Sequence, residues 1–307
     1  MSTKLAFVFP GQGSQQLGML ADLAEKHDII KQTFAEASDV LGYDLWDLVQ
    51  NDAERLSQTD KTQPALLTAS VALWRLWEQQ GGDKPAYVAG HSLGEYSALV
   101  CAGVIAFTDA VELVKLRGEY MQQAVPAGEG AMAAIIGLGD DKVVAACVAA
   151  PGIVSAVNFN SPGQVVIAGH VAAVEAAMVN AKEAGAKRAL PLPVSVPSHC
   201  ELMISAGAKL AEKLETIIFN SPSCTLVQNV TAQAVSDPSV IKANLVTQLS
   251  EPVLWTQSVI LLSELGVTST VECGPGKVLS GLNKRIVKGL EVSSLGDLAG
   301  FEAALSA

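Results

Sequence analysis

Gly90-His91-Ser92-Leu93-Gly94 sets one serine between two glycines, after the apolar run "AYVAG" and before the helical pattern "EYSALV". This is the G-x-S-x-G spacing of a strand-to-helix elbow. Residues with almost no side chain, two before and two after the serine, let the strand end pass close to the helix start and leave the hydroxyl exposed at the sheet edge. The chemistry open to such a serine is nucleophilic acyl transfer. Ser92 would stand at a helix N-terminus, where free N–H groups and the helix dipole favour negative charge, with the Leu93 N–H aimed where an oxyanion forms. A plain helix cap accounts for the same five residues, but the strand before and the helix after are the context that the elbow requires.

A nucleophilic serine needs a base, and the chain has four histidines. His27 lies in the charged stretch "AEKHD" and reads as a solvated helix residue. His91 directly precedes the serine and cannot easily turn back to it. His170 opens a helix and reads as a cap or surface residue. By elimination the base is His199, in the Pro- and Ser-containing stretch "VSVPSHCELM". A second oddity lies in the helix expected from Thr108 to Gln122. At 100° per residue Ala110, Leu113, Val114, Leu116, Tyr120 and Met121 form an apolar face, and Arg117 falls in its middle. A buried guanidinium left without its partner typically costs roughly 3–5 kcal/mol, so Arg117 should meet an anion. An internal Asp or Glu would serve, as would a substrate carboxylate held bidentately near Ser92.

The elements that must position these groups follow from the pattern of the chain. "KLAFVF" reads as a first strand, a helix is expected from about Asp22 to Ala37, and a longer helical pattern runs through "TQPALLTASVALWRLWEQQ". The order strand, glycine turn, helix recurs around Ser92 and again at "TSTVECGPGKVLSGLNKRI", which marks a parallel α/β sheet. The middle differs: "GAMAAIIGL", "DDKVVAACVAA", "IVSAVNF", "GQVVIAG", "HVAAVEAAMVNAKEAG" and "KRALPLPV" read βαββαβ, a ferredoxin-like order. The expected architecture is a large α/β-hydrolase-like domain of residues 1–127 and 195–307 with a small subdomain, 128–194, inserted in it.

Composition narrows the class. Twenty basic residues against 31 acidic give a net charge of −11, which argues against general affinity for nucleic acid or anionic membrane. Five scattered cysteines without a C-x-x-C suggest reduced thiols in a cytoplasmic protein. "MSTKLAFVFPGQG" lacks the length and cleavage region of a signal peptide. "YSALVCAGVIAFT", at 13 residues, falls short of the roughly 20 that span a bilayer. The expectation is a soluble monomer.

With Ser92, His199 and Arg117 in place, the chain closely resembles the bacterial malonyl-CoA:acyl-carrier-protein transacylases. The likeness rests on "FPGQGSQ" (9–15), "TQPAL" (62–66), "GHSLGEYSAL" (90–99), "LRG" (116–118), "NFNSPGQVVIAG" (158–169), "PSH" (197–199) and "VECGPGKVL" (271–279). The resemblance implies a ping-pong transfer of malonyl from malonyl-CoA to the phosphopantetheine thiol of a carrier protein for fatty-acid synthesis, with no metal or redox cofactor. It implies that Ser92 is acylated with His199 as its base, and that Arg117 binds the malonyl carboxylate. It further implies that the Gln12 and Leu93 N–H groups form the oxyanion hole. Gln248 matches the position whose backbone carbonyl orients the histidine, and Gln63 and Asn160 line the pocket in relatives.

Two other classes were open. A serine esterase or thioesterase shares the elbow, but the chain has no HGGG-type oxyanion loop, and Arg117 would have no purpose beside a neutral ester. A nucleotide-binding module fails on spacing: Gly11-x-Gly13 is followed at the third place by Gln16, and Lys277 by Val278. An acidic carrier needs a local basic surface on an acidic enzyme. The expected surface, for the carrier or for the CoA phosphates, is "GKVLSGLNKRIVKG", where Lys277, Lys284 and Lys288 would share one helix face with Arg285 beside them. An ordinary solvated face is the alternative.

Overall fold

The computed structural model describes residues 4–194 and 196–307. Ser195, which the sequence reading makes the first residue after the insert, and Met1–Thr3 lie outside the described residues.

The run KLAFVF forms β1 (Lys4–Phe9), and from Ala6 onward every residue in it is buried, as a strand covered on both faces must be. Phe7 and Phe9 face one hydrophobic cluster, while Ala6 and Val8 face another across the sheet. Phe7 meets Trp74 and Trp77 edge-on, each at 5.4 Å, from the long helix Thr59–Gln79. Around β1 stand β2 (Tyr87–Gly90), β7 (Thr225–Gln228), β8 (Gln233–Val235), β9 (Val267–Glu272) and β10 (Glu291–Ser294). The sheet order is β10-β9-β1-β2-β7-β8, parallel except for the antiparallel edge pair β7–β8. Chain order reverses at β1, which has β9 on one side and β2 on the other. The residues that follow β1 and β2, Gln12 and Ser92, both line a cavity beyond the C-terminal ends of these strands, where open α/β sheets hold ligands.

The second sheet is formed by β3 (Gly130–Ile136), β4 (Val154–Ser161), β5 (Gln164–His170) and β6 (Arg188–Pro191), ordered β4-β5-β3-β6 and wholly antiparallel. Helices Asp140–Val148 and Val171–Glu183 pack on one face through Val143, Val174 and Ala177. The other face carries Met132, Val157 and Val166, packed with Cys200. A short parallel bridge ties β4 to the segment before helix Trp255–Glu264, with Phe159 N–H donating to Val253 O at 3.0 Å and Val253 N–H to Val157 O at 2.9 Å. The βαββαβ order read from the sequence is the observed one.

One expected helix is two. Residues 21–41 form Ala21–Lys26 and Asp28–Leu41, broken at His27, whose φ of −133° is extended. His27 is thus a junction and not a helix residue. The break lets Leu23 and Ala24 from one segment and Ile30 and Phe34 from the next reach the same core. Among the described residues no helix is long and apolar enough to cross a membrane.

Candidate active site

At the end of β2 the chain turns through Ser92 at φ +52°. A serine in this left-handed region is strained by about 1–3 kcal/mol, and the surroundings hold it there. A Cβ on Gly90 would collide with the Gly94 carbonyl, and one on Gly94 with the Phe9 carbonyl. Asn229, just beyond β7, accepts the Ser92 N–H on its Oδ1 at 2.7 Å and donates its Nδ2 to Gly90 O at 2.5 Å. One side chain thereby fastens both limbs of the elbow.

His199 is buried, and its Nε2 lies 2.7 Å from Ser92 Oγ. Its Nδ1 lies 2.6 Å from the main-chain carbonyl of Gln248, and its own N–H donates to Leu249 O at 2.9 Å. A carbonyl can only accept, so Nδ1 carries the proton and Nε2 presents its lone pair to the serine. Burial first, and then the Arg117 charge, push the imidazole down to about 3. It therefore rests neutral, as a base must.

Arg117 is buried in helix Phe107–Ala124, where Leu116 and Tyr120, expected on the same face, are only half-buried. Its Nη1 donates to Gln63 Oε1 at 2.9 Å and its Nη2 to Gln248 Oε1 at 3.1 Å. Nη2 also reaches Ser92 Oγ at 3.5 Å, and the guanidinium lies over the Tyr96 ring at 5.4 Å. Among the described residues no carboxylate comes within 4.0 Å of it, and its Nε is buried without a partner. Of the two anions that the sequence leaves open, an internal acid in contact is therefore absent among the described residues. The guanidinium is held by neutral amides beside the serine, with donor capacity to spare.

A cavity between the two sheets is lined by Gln12, Ser92, Leu93, Arg117 and His199 from the larger part, and by Met132, Asn158 and Leu192 from the smaller. Among the described residues neither the Gln12 nor the Leu93 N–H donates to a protein acceptor, as an oxyanion site requires. Gln63, Gln248 and Asn160 do not line this cavity. The two glutamines hold Arg117 from behind, and Asn160 meets His91 Nε2 at 2.7 Å. Sequence reasoning missed Asn158, whose buried Oδ1 has no partner among the described residues, and Asn229. It also missed Glu95, which takes hydrogen bonds from Asn229 N–H, Gln228 and Gln248. Burial pushes Glu95 up to about 7 against the pull of those donors and of Arg117. A signal for Glu95 was present: it is the one charge in the apolar stretch GEYSALVC, the same anomaly that exposed Arg117.

The expected basic helix face does not form as read. The helix spans only Val278–Ile286; Lys277 precedes it, and Lys288 follows the extended Val287. Lys277 is paired with Asp297 at 3.0 Å. Lys284 and Arg285 alone share the helix, both exposed.

The model of the acyl transferase domain matches residues 6–296. This chain belongs to that family. It is 60% identical over 307 residues to the malonyl CoA-acyl carrier protein transacylase of Salmonella typhimurium, with 99% of each chain covered. It is 46% identical to that of Bacillus subtilis, covering 99% of this chain and 96% of the other. Among solved structures it is similar to an acyl carrier protein S-malonyltransferase from Vibrio cholerae, with TM-score 0.96, 62% identity, and 98% and 99% of the two chains covered. It is also similar to a malonyl-transacylase solved in complex with a type II polyketide acyl-carrier protein, with TM-score 0.97, 57% identity and 99% of each chain covered.

Proposed function

We propose that this chain transfers malonyl from malonyl-CoA to the phosphopantetheine thiol of an acyl carrier protein, through an ester on Ser92. The observation that carries the reading is the buried guanidinium of Arg117, 3.5 Å from the Ser92 hydroxyl and, among the described residues, free of any contacting carboxylate. His199 Nε2 takes the Ser92 proton as Oγ attacks the thioester carbon. The Gln12 and Leu93 N–H groups receive the oxyanion, each such donor being worth about 10²–10³ in rate. The intermediate collapses, the CoA sulfur leaves with the proton from His199, and malonyl-Ser92 remains. The carrier thiol then gives its proton to His199 and attacks the ester, and Ser92 Oγ recovers a proton as it departs. One thioester replaces another, so the cycle needs no metal or redox cofactor.

Arg117 pairs with the free carboxylate of malonyl, and its unpartnered donors are what an acetyl group would leave unsatisfied. Gln63 and the Gln248 side chain act by holding that guanidinium, the Gln248 main-chain carbonyl acts by holding His199, and Asn160 acts through His91. On this reading the enzyme is a cytoplasmic monomer supplying extender units to fatty-acid synthesis, and residues 128–194 serve as a subdomain closing the acyl cavity.

Intact mass after mixing with malonyl-CoA, with no thiol acceptor, tests the reading. One malonyl group per chain and a single burst of CoA are expected, with no adduct on Ser92→Ala. Arg117→Ala should slow malonyl transfer by roughly 10²-fold or more, the scale for a buried charge pair broken on one side. Steady CoA release without acceptor would make the protein a hydrolase instead.

A further inference from the structure

Glu95 is 1% exposed, one turn past the nucleophile, in helix Gly94–Cys101. Everything set against its carboxylate is a donor: Asn229 N–H to Oε2 at 2.9 Å, Gln228 Nε2 to Oε1 at 2.8 Å and Gln248 Nε2 to Oε2 at 3.2 Å. Neither glutamine is free to turn over. Gln228 Oε1 accepts from Asn244 at 2.8 Å, and Gln248 Oε1 accepts from Arg117 at 3.1 Å. The network therefore fits an acceptor-only carboxylate, although burial works against the charge.

The consequence lies in Gln248. A side-chain amide has a donor end and an acceptor end, and its surroundings decide which way each points. The Gln248 Nε2 lies between Glu95 Oε2 and Ser92 O, the latter at 3.1 Å. That fixes Oε1 on the side of Arg117. Turned over, the amide would set an NH₂ against a guanidinium, donor against donor. The main-chain carbonyl of this same residue holds His199 Nδ1, so one residue in Glu95's grip touches serine, histidine and arginine together. Glu95 is also the acid whose charge Arg117 feels, at a distance beyond direct contact.

We propose that Glu95 is a positioning residue that acts through the Gln248 amide, turning an acceptor toward Arg117 and so presenting the guanidinium to the acid end of the acyl group. The preference for malonyl over a neutral acyl group is then set partly by a carboxylate that touches no substrate. This rests on the malonyl-transfer reading above.

The test compares Glu95→Gln with Gln228→Met, which strips one donor from Glu95 and touches none of Ser92, His199 or Arg117. Rates of acyl-enzyme formation from malonyl-CoA and from acetyl-CoA are followed by intact mass, per chain able to be acylated. The malonyl-to-acetyl ratio should fall at least about fivefold in Glu95→Gln and about twofold in Gln228→Met, the range of coupling between residues of one hydrogen-bond network. If Glu95 only supports the fold, stability and the acylatable fraction drop while the two rates per acylatable chain keep their ratio, which overturns the proposal. Should Glu95→Gln not fold, the ratio in Gln228→Met decides. A wild-type chain that takes up no malonyl overturns both readings; normal uptake with an unchanged ratio in the variants overturns this one alone.

Discussion

His199 shows how a single residue's surroundings set both its chemistry and its cost. Its imidazole is held down to about 3 by burial and by Arg117, and burial lowers His91 as well. The unfolded chain protonates His199 near its ordinary value of 6.5, while the folded chain does so only near 3. Between those values the unfolded state binds the extra proton, so stability is lost as pH falls, by up to about 1.4 kcal/mol per pH unit. His199→Gln removes this proton linkage. The stability of the wild type relative to His199→Gln, from urea unfolding between pH 7.5 and 4.5, should therefore decline toward acid. A difference that grows toward acid would show the histidine charged in the folded state. The residue types alone pointed to this group, since His199 was reached by eliminating three others. Its neutral tautomer was not legible, because the Gln248 carbonyl that fixes it lies 49 positions along the chain.

At the scale of elements, the site depends on how closely two helices approach. Gly118 follows Arg117, and a Cβ there would lie 2.7 Å from Asp60 Cα and 2.9 Å from Thr59 O, at the start of helix Thr59–Gln79. That close approach brings Gln63 within reach of Arg117. Gly118→Ala should cost about 1–3 kcal/mol by forcing the helices apart, and it should raise KM for malonyl-CoA more than it lowers kcat. Denaturation and steady-state kinetics on the one variant check both; an unchanged KM would mean that Arg117 does not depend on this contact. Helical periodicity placed Arg117 on the buried face, whereas the helix break at His27 left no mark in the apolar pattern, which runs on through it. The basic stretch after Gly276 failed for the converse reason. Its pattern continues to Lys288, but the helix ends at Ile286, ahead of Gly289 at φ +84°.

The whole molecule sets two sheets around one cavity, joined in part by the β4 bridge to Val253. On the malonyl-transfer reading a carrier brings its thiol to that cavity, and we propose that the exposed Lys284 and Arg285 help to dock it. Lys284→Glu with Arg285→Glu should slow transfer to the carrier by about an order of magnitude at low salt, and far less at high salt. Acylation by malonyl-CoA should slow less than transfer does. Equal rates to the carrier at every ionic strength would place docking elsewhere.

The sequence by itself determined the elements and the reactive types: a buried parallel strand from its unbroken apolar run, an elbow from two glycines, and a misplaced arginine from its helical phase. These are local properties, set by steric freedom and by periods of two or 3.6 residues. Only the tertiary structure decided what the arginine meets, which nitrogen of His199 holds the proton, and that Asn229 fastens the elbow while Glu95 gathers three donors. Those outcomes depend on donors and acceptors brought together from distant strand ends, and no local pattern encodes which amide will face which charge.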